Sequence, residues 1–198
     1  MDANGAHHDP FALGIQQLRK IRVDLIPLME KYVQIQGFDD LDFSRESASV
    51  EIGNWTEMAA EERLIANLSA FLELERQLKR VVEEQKDLLH PREHVFHGDL
   101  HSLLGQVGAL REHLEQIGSI LGLCDQWSSD ITEVGATGGS MFEKKVRGYK
   151  VLRDLSVWSV RSVRDLRKLQ RERERYMRES MKEVETLMER VETEIGRE

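Results

Sequence analysis

The sequence is poor in the residues that form disulfides, metal cages and membrane spans. Its 198 residues include one cysteine and three prolines. The lone thiol, Cys124, excludes an intramolecular disulfide and any metal site built from cysteines. No apolar run approaches the ~18–20 residues that cross a bilayer, and residues 1–10 (MDANGAHHDP) lack the basic and apolar regions of a secretory signal. We therefore expect no disulfide, no direct membrane insertion and no ordinary signal peptide.

The composition instead favours a single helical domain. Charged residues make up 32% of the chain, apolar residues 40% and aromatic residues 6%, and a chain of this length buries roughly 70% of its unfolded surface. The net charge is −8, yet residues 141–178 hold 13 basic and 5 acidic side chains. Acidic residues alternate with these bases and aromatic residues are not interleaved, which disfavours nucleic acid and favours a protein partner.

Apolar residues spaced three and four apart predict four long amphipathic helices. We expect a kink where Pro27 interrupts the backbone hydrogen bonds of the first helix. Thr56 and Ser140 are suitable N-caps for the second and fourth helices, and Pro91 ends the second. The helices are predicted over about residues 9–36, 56–90, 92–123 and 140–170.

The lengths of the connections predict how these helices are arranged. The connection at Pro91 is short, so the second and third helices must be antiparallel neighbours. The other two connections are long enough to run the length of a bundle. This pattern predicts an all-α four-helix bundle with up-up-down-down topology over residues 1–170. Residues 171–198 are predicted to form a helical C-terminal extension.

Four sequence strings, one for each predicted helix, carry a resemblance to a known family. They occur in the family's order over about residues 11–168, and the string in the fourth helix is long and lies mostly outside core positions. The chain resembles the ciliary neurotrophic factor family of the interleukin-6-type cytokines, whose fold is the long-chain four-helix bundle. The strings are LRKIRVDL (18–25), WTEM (55–58), FHGDLHSLL (96–104) and WSVRSVRDLR (158–167).

The resemblance implies a growth factor rather than an enzyme, with no cofactor. A neurotrophic cytokine of this family binds the ciliary neurotrophic factor receptor α-subunit and assembles the glycoprotein 130 signal transducer with the leukaemia inhibitory factor receptor. The implied consequences are JAK/STAT signalling and the survival and differentiation of neurons. The implied location is the cytoplasm, without a signal peptide, followed by release to act extracellularly. An intracellular coiled-coil scaffold is the alternative, although a scaffold does not need two bundle-length crossovers.

Phe142 and Lys145 are the residues that the resemblance assigns to the leukaemia inhibitory factor receptor. Residues three apart on a helix share a face, and an exposed aromatic ring beside a cation is a compact anchor for a partner. The alternative is that Phe142 is the first core residue of the fourth helix and that Lys145 is merely solvated.

A second candidate surface combines residues of the first and fourth helices. Trp158, Arg161 and Asp165 are spaced to lie in one stripe, whose Trp and Arg are typical of an interface hot spot. The predicted core stripe of this helix lies on another side, so Trp158 is expected at or outside the core boundary. A Trp that closes the end of the bundle is the alternative. The predicted core stripe is Tyr149, Leu152, Ser156, Val163 and Leu166. The resemblance assigns the α-receptor to Arg19, Lys20, Asp24, Trp158, Arg161, Asp165 and Arg167.

A metal site or a catalytic site has little support in the sequence. His97 and His101 have the i, i+4 spacing of two ligands on one helix, with His90, Glu93 and His94 nearby. However, no second ligand cluster accompanies them and the H-E-x-x-H order is missing. A metal enzyme in a helical bundle would need Glu-x-x-His pairs on two helices. We therefore predict no metal and no catalytic residue.

The tail beyond Lys168 departs most from the family pattern. Its apolar residues are spaced as a narrow coiled-coil seam that covers under three heptads. The tail can extend the fourth helix past the bundle, fold back on it, or pair with a second chain to give a homodimer. We expect a mostly helical, partly frayed extension that is dispensable for receptor assembly. The seam residues are Met177, Met181, Val184, Met188, Val191 and Ile195.

Overall fold

Four long α-helices make up the fold. The computed structural model describes residues 9–38, 55, 57–123 and 139–195, and no strand occurs among these residues. A π-helical turn, Gln85–Leu89, follows the second helix. The α-helices are α1 (Pro10–Gln36), α2 (Ala60–Glu84), α3 (His94–Ile120) and α4 (Met141–Ile195).

Both ends of α1 are capped by the residues expected at such positions. The Asp9 carboxylate accepts the backbone N–H of Phe11 at 3.2 Å, which satisfies one of the unpaired donors of the first turn. At the other end Gly37 has φ 71°, a left-handed conformation that glycine adopts without strain. The Phe38 N–H donates to the Val33 carbonyl at 3.0 Å. This turn directs Phe38 back into the core, where it is 2% exposed.

The starts of α2 and α4 share one capping bond, in which a backbone N–H donates to the carboxylate of the Glu three residues later. Ser140 is the predicted cap of α4, and its Oγ accepts the N–H of Glu143 at 3.2 Å, while the Glu143 carboxylate accepts the Ser140 N–H at 2.6 Å. In α2, Glu62 accepts the N–H of Ala59 at 3.0 Å, so the helix begins at Ala60 and not near 56. The predicted cap Thr56 lies outside the described residues.

Contacts between the helices, together with the short connection between α2 and α3, establish the topology. The Tyr32 hydroxyl of α1 donates to the Lys145 carbonyl of α4, and Gln170 donates to Asp9 at the opposite end, so α1 and α4 are antiparallel. Each of α1 and α2 packs on both α3 and α4, and α2 and α3 are joined by the short connection 90–93. The predicted up-up-down-down bundle is therefore confirmed.

The buried face of α4 is wider than the predicted core stripe. Leu152, Val163 and Leu166 are buried as predicted, but Tyr149 and Ser156 are only half-buried. Because α4 packs against both α1 and α2, its buried face spans two neighbouring stripes instead of one. The additional buried residues of α4 are Gly148, Val151, Leu155, Trp158, Ser159, Ser162, Asp165 and Leu169.

One close approach between α1 and α4 depends on a glycine. A Cβ atom at Gly148 would overlap the hydroxyl of Tyr32. Tyr32 is fully buried, and besides its bond to Lys145 its hydroxyl accepts Gln85 Nε2 at 3.0 Å. The absence of a side chain at position 148 therefore makes room for a buried hydroxyl that links α1 to α4 and to the π-helical turn after α2.

The helix α4 continues far past the bundle. All residues from 171 to 192 are exposed except Ser180, which is half-buried. Before this segment, Leu169 is buried and the Arg173 guanidinium lies 5.8 Å from the centroid of the Phe11 ring. Within the described ranges, no helix combines the length and the apolar composition that a membrane span needs.

Candidate receptor-binding surfaces

Phe142 projects from the first turn of α4. Its side chain is 57% exposed, so the alternative of a core position is excluded. Its ring contacts the ring of Phe38 edge to face, with centroids 6.3 Å apart and an interplanar angle of 79°. Because Phe38 is itself buried, it gives the exposed ring a fixed support, as expected of an anchor that loses little entropy on binding.

Lys145 lies on the same face of α4 and is held by the C-terminal end of α1. Its ammonium group donates to the Gln36 carbonyl at 3.1 Å, and its own carbonyl accepts the Tyr32 hydroxyl at 2.9 Å. A cation at a helix C-terminus interacts favourably with the helix dipole. Burial, together with the Glu84 charge, raises the pKa of Tyr32, so this hydroxyl remains a donor. Lys145 is half-buried and therefore not merely solvated.

A shallow depression lies beside Phe142. Its lining includes Gly139, Val146, Arg147, Val151 and Asp154. Arg147 donates to Glu84 of α2 at 2.7 Å, which fixes one wall of the depression. An aromatic ring, an anchored ammonium group and an adjacent apolar floor can together bind a protein partner that offers an apolar group and an acidic group.

Trp158 is buried, contrary to the expectation that it lies at or outside the core boundary. Its side chain is 6% exposed and its ring contacts that of Trp55 at 5.8 Å and 77°. The Arg161 guanidinium lies over both rings, 4.8 Å from Trp55 and 5.1 Å from Trp158. The expectation failed because Trp55, from the connection before α2, covers the α4 stripe.

Asp165 is also buried and bonds to α2. It is 6% exposed and accepts Asn67 Nδ2 at 3.0 Å and Trp55 Nε1 at 3.3 Å. Arg63 lies 3.7 Å away, and Ser162 donates to Asn67. We call these five residues the Asp165 cluster. Because its oxygens are occupied inside the protein, Asp165 has no exposed face to offer a partner.

Four members of the Asp165 cluster were not among the predicted site residues. Ser162 lies in α4, and Trp55, Arg63 and Asn67 lie in or next to α2. One signal for them exists in the sequence: Asn67 is polar but is flanked by the apolar stripe residues Leu64, Leu68 and Phe71, and a polar residue at such a position needs a buried partner.

The α1 residues of the second candidate surface lie at a different seam. Lys20 Nζ is 2.9 Å from Asp24 Oδ2, and the same oxygen accepts Gln106 Nε2 of α3 at 2.7 Å. These bonds, with Lys20 the larger influence, lower the pKa of Asp24. Asp24 is thus at the seam of α1 and α3, whereas the Asp165 cluster is at the seam of α2 and α4.

The structure therefore does not unite the predicted α-receptor residues in one contact network. Among the described residues, no hydrogen bond or ion pair joins Arg19, Lys20 or Asp24 to the α4 group. Arg19, Lys20 and Arg167 are exposed, while Arg161 is half-buried. The exposed members are accessible to a partner. The buried members, Trp158 and Asp165, contact Trp55 and Asn67 inside the protein.

The histidines at the entrance of α3 do not converge. His97 is buried and its Nε2 has no hydrogen-bond partner, whereas His101 is exposed. The rings of His94 and His97 meet edge to face at 6.1 Å. In the part of the chain that the structure describes, no three His, Cys, Asp or Glu side chains are grouped as metal ligands. Cys124 lies outside that part.

Comparison with known proteins assigns the chain to a family. The family described as ciliary neurotrophic factor matches residues 2–183. Ciliary neurotrophic factor of Sus scrofa is 39% identical over 153 residues, covering 75% of this chain and 76% of the relative, and that of Homo sapiens is 37% identical over 153 residues with the same coverage. Cardiotrophin-2 of Mus musculus is 33% identical over 149 residues, covering 70% of this chain and 72% of the relative. The chain therefore belongs to the ciliary neurotrophic factor family of neurotrophic cytokines.

Proposed function

We propose that the protein is a ligand that assembles receptor chains and has no catalytic activity. Its partners would be the ciliary neurotrophic factor receptor α-subunit, the glycoprotein 130 signal transducer and the leukaemia inhibitory factor receptor. Assembly of these chains would activate JAK/STAT signalling and support neuronal survival. We further propose that the protein is stored in the cytoplasm and acts after release. Family membership supports the cytokine role, and the receptor identities follow from the resemblance.

The observation that carries this proposal is the geometry of Phe142 and Lys145. Phe142 is an exposed aromatic ring whose position is fixed by buried Phe38, and Lys145 is fixed by the end of α1. Binding hot spots are enriched in such pre-positioned aromatic and basic groups. We assign the leukaemia inhibitory factor receptor to this pair.

We assign the α-receptor to the accessible members of the second surface. Arg19, Lys20 and Arg167 are exposed and would contact the receptor directly. The Arg161 guanidinium lies over both Trp rings, which restricts its movement, and the side chain is half-buried and so partly accessible. Trp158 and Asp165 are buried, and we propose that they position Arg161 instead of touching the receptor. Asp24, which holds Lys20, has the same supporting role in α1.

The closed bundle argues against the scaffold alternative over residues 9–170. The apolar stripes of all four helices are buried in one internal core. Over these residues the stripes therefore cannot pack against other coiled-coil chains. The exposed apolar face of α4 lies beyond that core and is a separate feature.

Replacement of the Phe142 and Lys145 side chains tests the proposal. The double variant Phe142→Ala/Lys145→Ala should lose signalling in cells that carry all three receptors, while helical content and α-receptor binding are retained. A matched control is Tyr176→Ala/Lys182→Ala, which removes an exposed aromatic ring and a cation from the α4 extension. The control should signal normally. Undiminished STAT phosphorylation by the first variant would contradict the assignment.

A further inference from the structure

The exposed extension of α4 carries an apolar face that no other part of the described chain covers. Residues 171–192 lie outside the bundle, and each large apolar side chain on the face is at least half exposed. Monomeric proteins rarely expose apolar side chains in a continuous stripe, and such a stripe marks an interaction surface. The residues of the face are Met177, Met181, Val184, Leu187, Met188 and Val191.

The spacing of this face is that of a two-stranded coiled coil. Alternating steps of four and three place Met177, Val184 and Val191 at heptad position d, and Met181 and Met188 at position a. The sequence continues the series with Ile195 at position a. A seam restricted to a and d is narrow, so it fits one further helix rather than the broad interface of a globular core.

The charges of the extension indicate that the helix which packs on this face is a second copy of the extension itself. Residues 171–182 hold five basic and three acidic side chains, and residues 183–194 hold five acidic and one basic side chain. Two copies of the extension placed antiparallel would therefore bring basic residues from the first half of each copy beside acidic residues from the second half of the other. We propose that the protein self-associates through this seam (residues 177–195) as an antiparallel two-stranded coiled coil.

The heptad positions beside the core specify the register. If Met181 packs against Val191 of the second copy, every a residue in the seam meets a d residue. Arg178 and Glu192 both occupy position e, and in this register Arg178 lies beside Glu192 of the second copy. Two-fold symmetry makes this attractive pair occur twice. Leu187, at position g, meets its own copy across the two-fold axis and adds to the apolar core.

A parallel pairing fits the same side chains less well. In a parallel coiled coil, a residue at position g lies beside the residue at position e of the following heptad in the other helix. Arg173 is at position g and Arg178 at position e, so two like charges would meet. Position g of the next two heptads holds Ser180 and Leu187, which form no ion pair with Glu185 or Glu192. The antiparallel arrangement has one like-charge contact, between Glu185 and Glu185 of the second copy, against two opposite-charge pairs.

A lipid surface is disfavoured as the partner of this face because the acidic half of the extension would be repelled by anionic headgroups.

The proposed dimer leaves the bundle surfaces free. Phe142 and Lys145 are at the start of α4 and the seam is at its end. Antiparallel extensions would project the two bundles from opposite ends of one coiled coil, which presents two ligands in one particle. The seam spans under three heptads and is rich in methionine, which specifies packing loosely. We therefore expect association that depends on concentration.

Sedimentation velocity of the full chain over a range of concentrations tests the proposal. The unmodified protein should shift from monomer to dimer as concentration rises. Arg178→Glu turns two attractive pairs into two repulsive pairs, so the dissociation constant should rise roughly tenfold. The double charge swap Arg178→Glu/Glu192→Arg should restore dimerisation. The control Lys182→Glu makes the same charge change at outward position b and should leave the dissociation constant unchanged.

Several outcomes would overturn the proposal. A chain that stays monomeric at every concentration has no self-association to explain, whether or not the extension then binds vesicles or another protein. Tighter association of Arg178→Glu would indicate the parallel arrangement, because the introduced carboxylate would then pair with Arg173 of the second copy. An equal effect of Lys182→Glu would show that total charge, and not the register, controls association.

Discussion

Asp165 of α4 accepts a hydrogen bond from the side-chain amide of Asn67 in α2, at 3.0 Å and with both residues buried. This bond places Asp165 among the residues that join two helices, although it belongs to a stripe predicted to meet a receptor. A residue at such a position affects binding through the structure it maintains. Stability and affinity must therefore be measured together for any variant of this stripe.

Truncation of Asp165 should destabilise the bundle. Asp165→Ala leaves Asn67 and Trp55 without a hydrogen-bond acceptor and Arg63 without its ion-pair partner, which costs on the order of 2–4 kcal/mol. Urea unfolding monitored by circular dichroism measures the loss. Arg167→Ala is the matched control, because Arg167 is exposed and its truncation should change the free energy of unfolding by less than about 0.5 kcal/mol. Equal stability of the two variants would contradict the structural role of Asp165.

The two arginines should contribute to α-receptor affinity in different ways. Arg167→Ala is expected to weaken binding by on the order of 1–3 kcal/mol at unchanged stability if Arg167 is a hot-spot residue. Arg161→Ala should weaken binding by a similar amount and also remove packing from Trp55 and Trp158. Titration against the immobilised receptor ectodomain gives both dissociation constants. If neither constant changes, the α-receptor surface lies elsewhere on the protein.

Gly148 should not tolerate even the smallest side chain. Gly148→Ala forces its new methyl group onto the buried Tyr32 hydroxyl, so α1 and α4 must separate or Tyr32 must break its bonds to Lys145 and Gln85. The expected cost is about 1–3 kcal/mol. The companion Gly148→Ala/Tyr32→Phe removes the overlapping oxygen and should recover part of the loss. A thermal midpoint of Gly148→Ala equal to that of the unmodified protein would contradict the close approach.

Asp154 should make the protein less stable at neutral pH than an amide at the same position would. Burial raises the pKa of Asp154, against smaller opposing effects of Arg153 and Lys150, and its Oδ1 has no hydrogen-bond partner. The folded state therefore holds this proton more tightly than the unfolded state, and the group costs stability once the pH rises above its folded pKa. Asp154→Asn should raise the free energy of unfolding at neutral pH, and the gain should vanish as the pH falls below the ordinary pKa of an aspartate. A gain that is independent of pH would contradict this origin.

The topology could be predicted from the sequence because it depends on the lengths of the connections between the helices. A short connection at Pro91 and two long ones leave the up-up-down-down arrangement as the natural solution. The burial of Trp158 could not be predicted in this way. It depends on Trp55, which lies in a connection without periodicity, and on the packing of α4 against both α1 and α2. For the same reason, spacing alone placed Asp165 in one stripe with Trp158 and Arg161 but could not predict that Asp165 is buried. Its burial depends on Asn67 in another helix.

Deletion of residues 172–198 should separate the role of the α4 extension from that of the bundle. The truncated chain keeps Leu169 and the Gln170–Asp9 bond and loses the contact of Arg173 with Phe11, worth about 0.5–1 kcal/mol at an exposed site. We expect a nearly unchanged thermal midpoint, unchanged receptor assembly and a protein that stays monomeric at every concentration. The longer deletion of residues 169–198 is the comparison, because the loss of the buried Leu169 side chain should cost about 2–3 kcal/mol. Unfolding of the first truncation would show that the extension packs on the bundle, and a dimer that survives it would place self-association outside the seam.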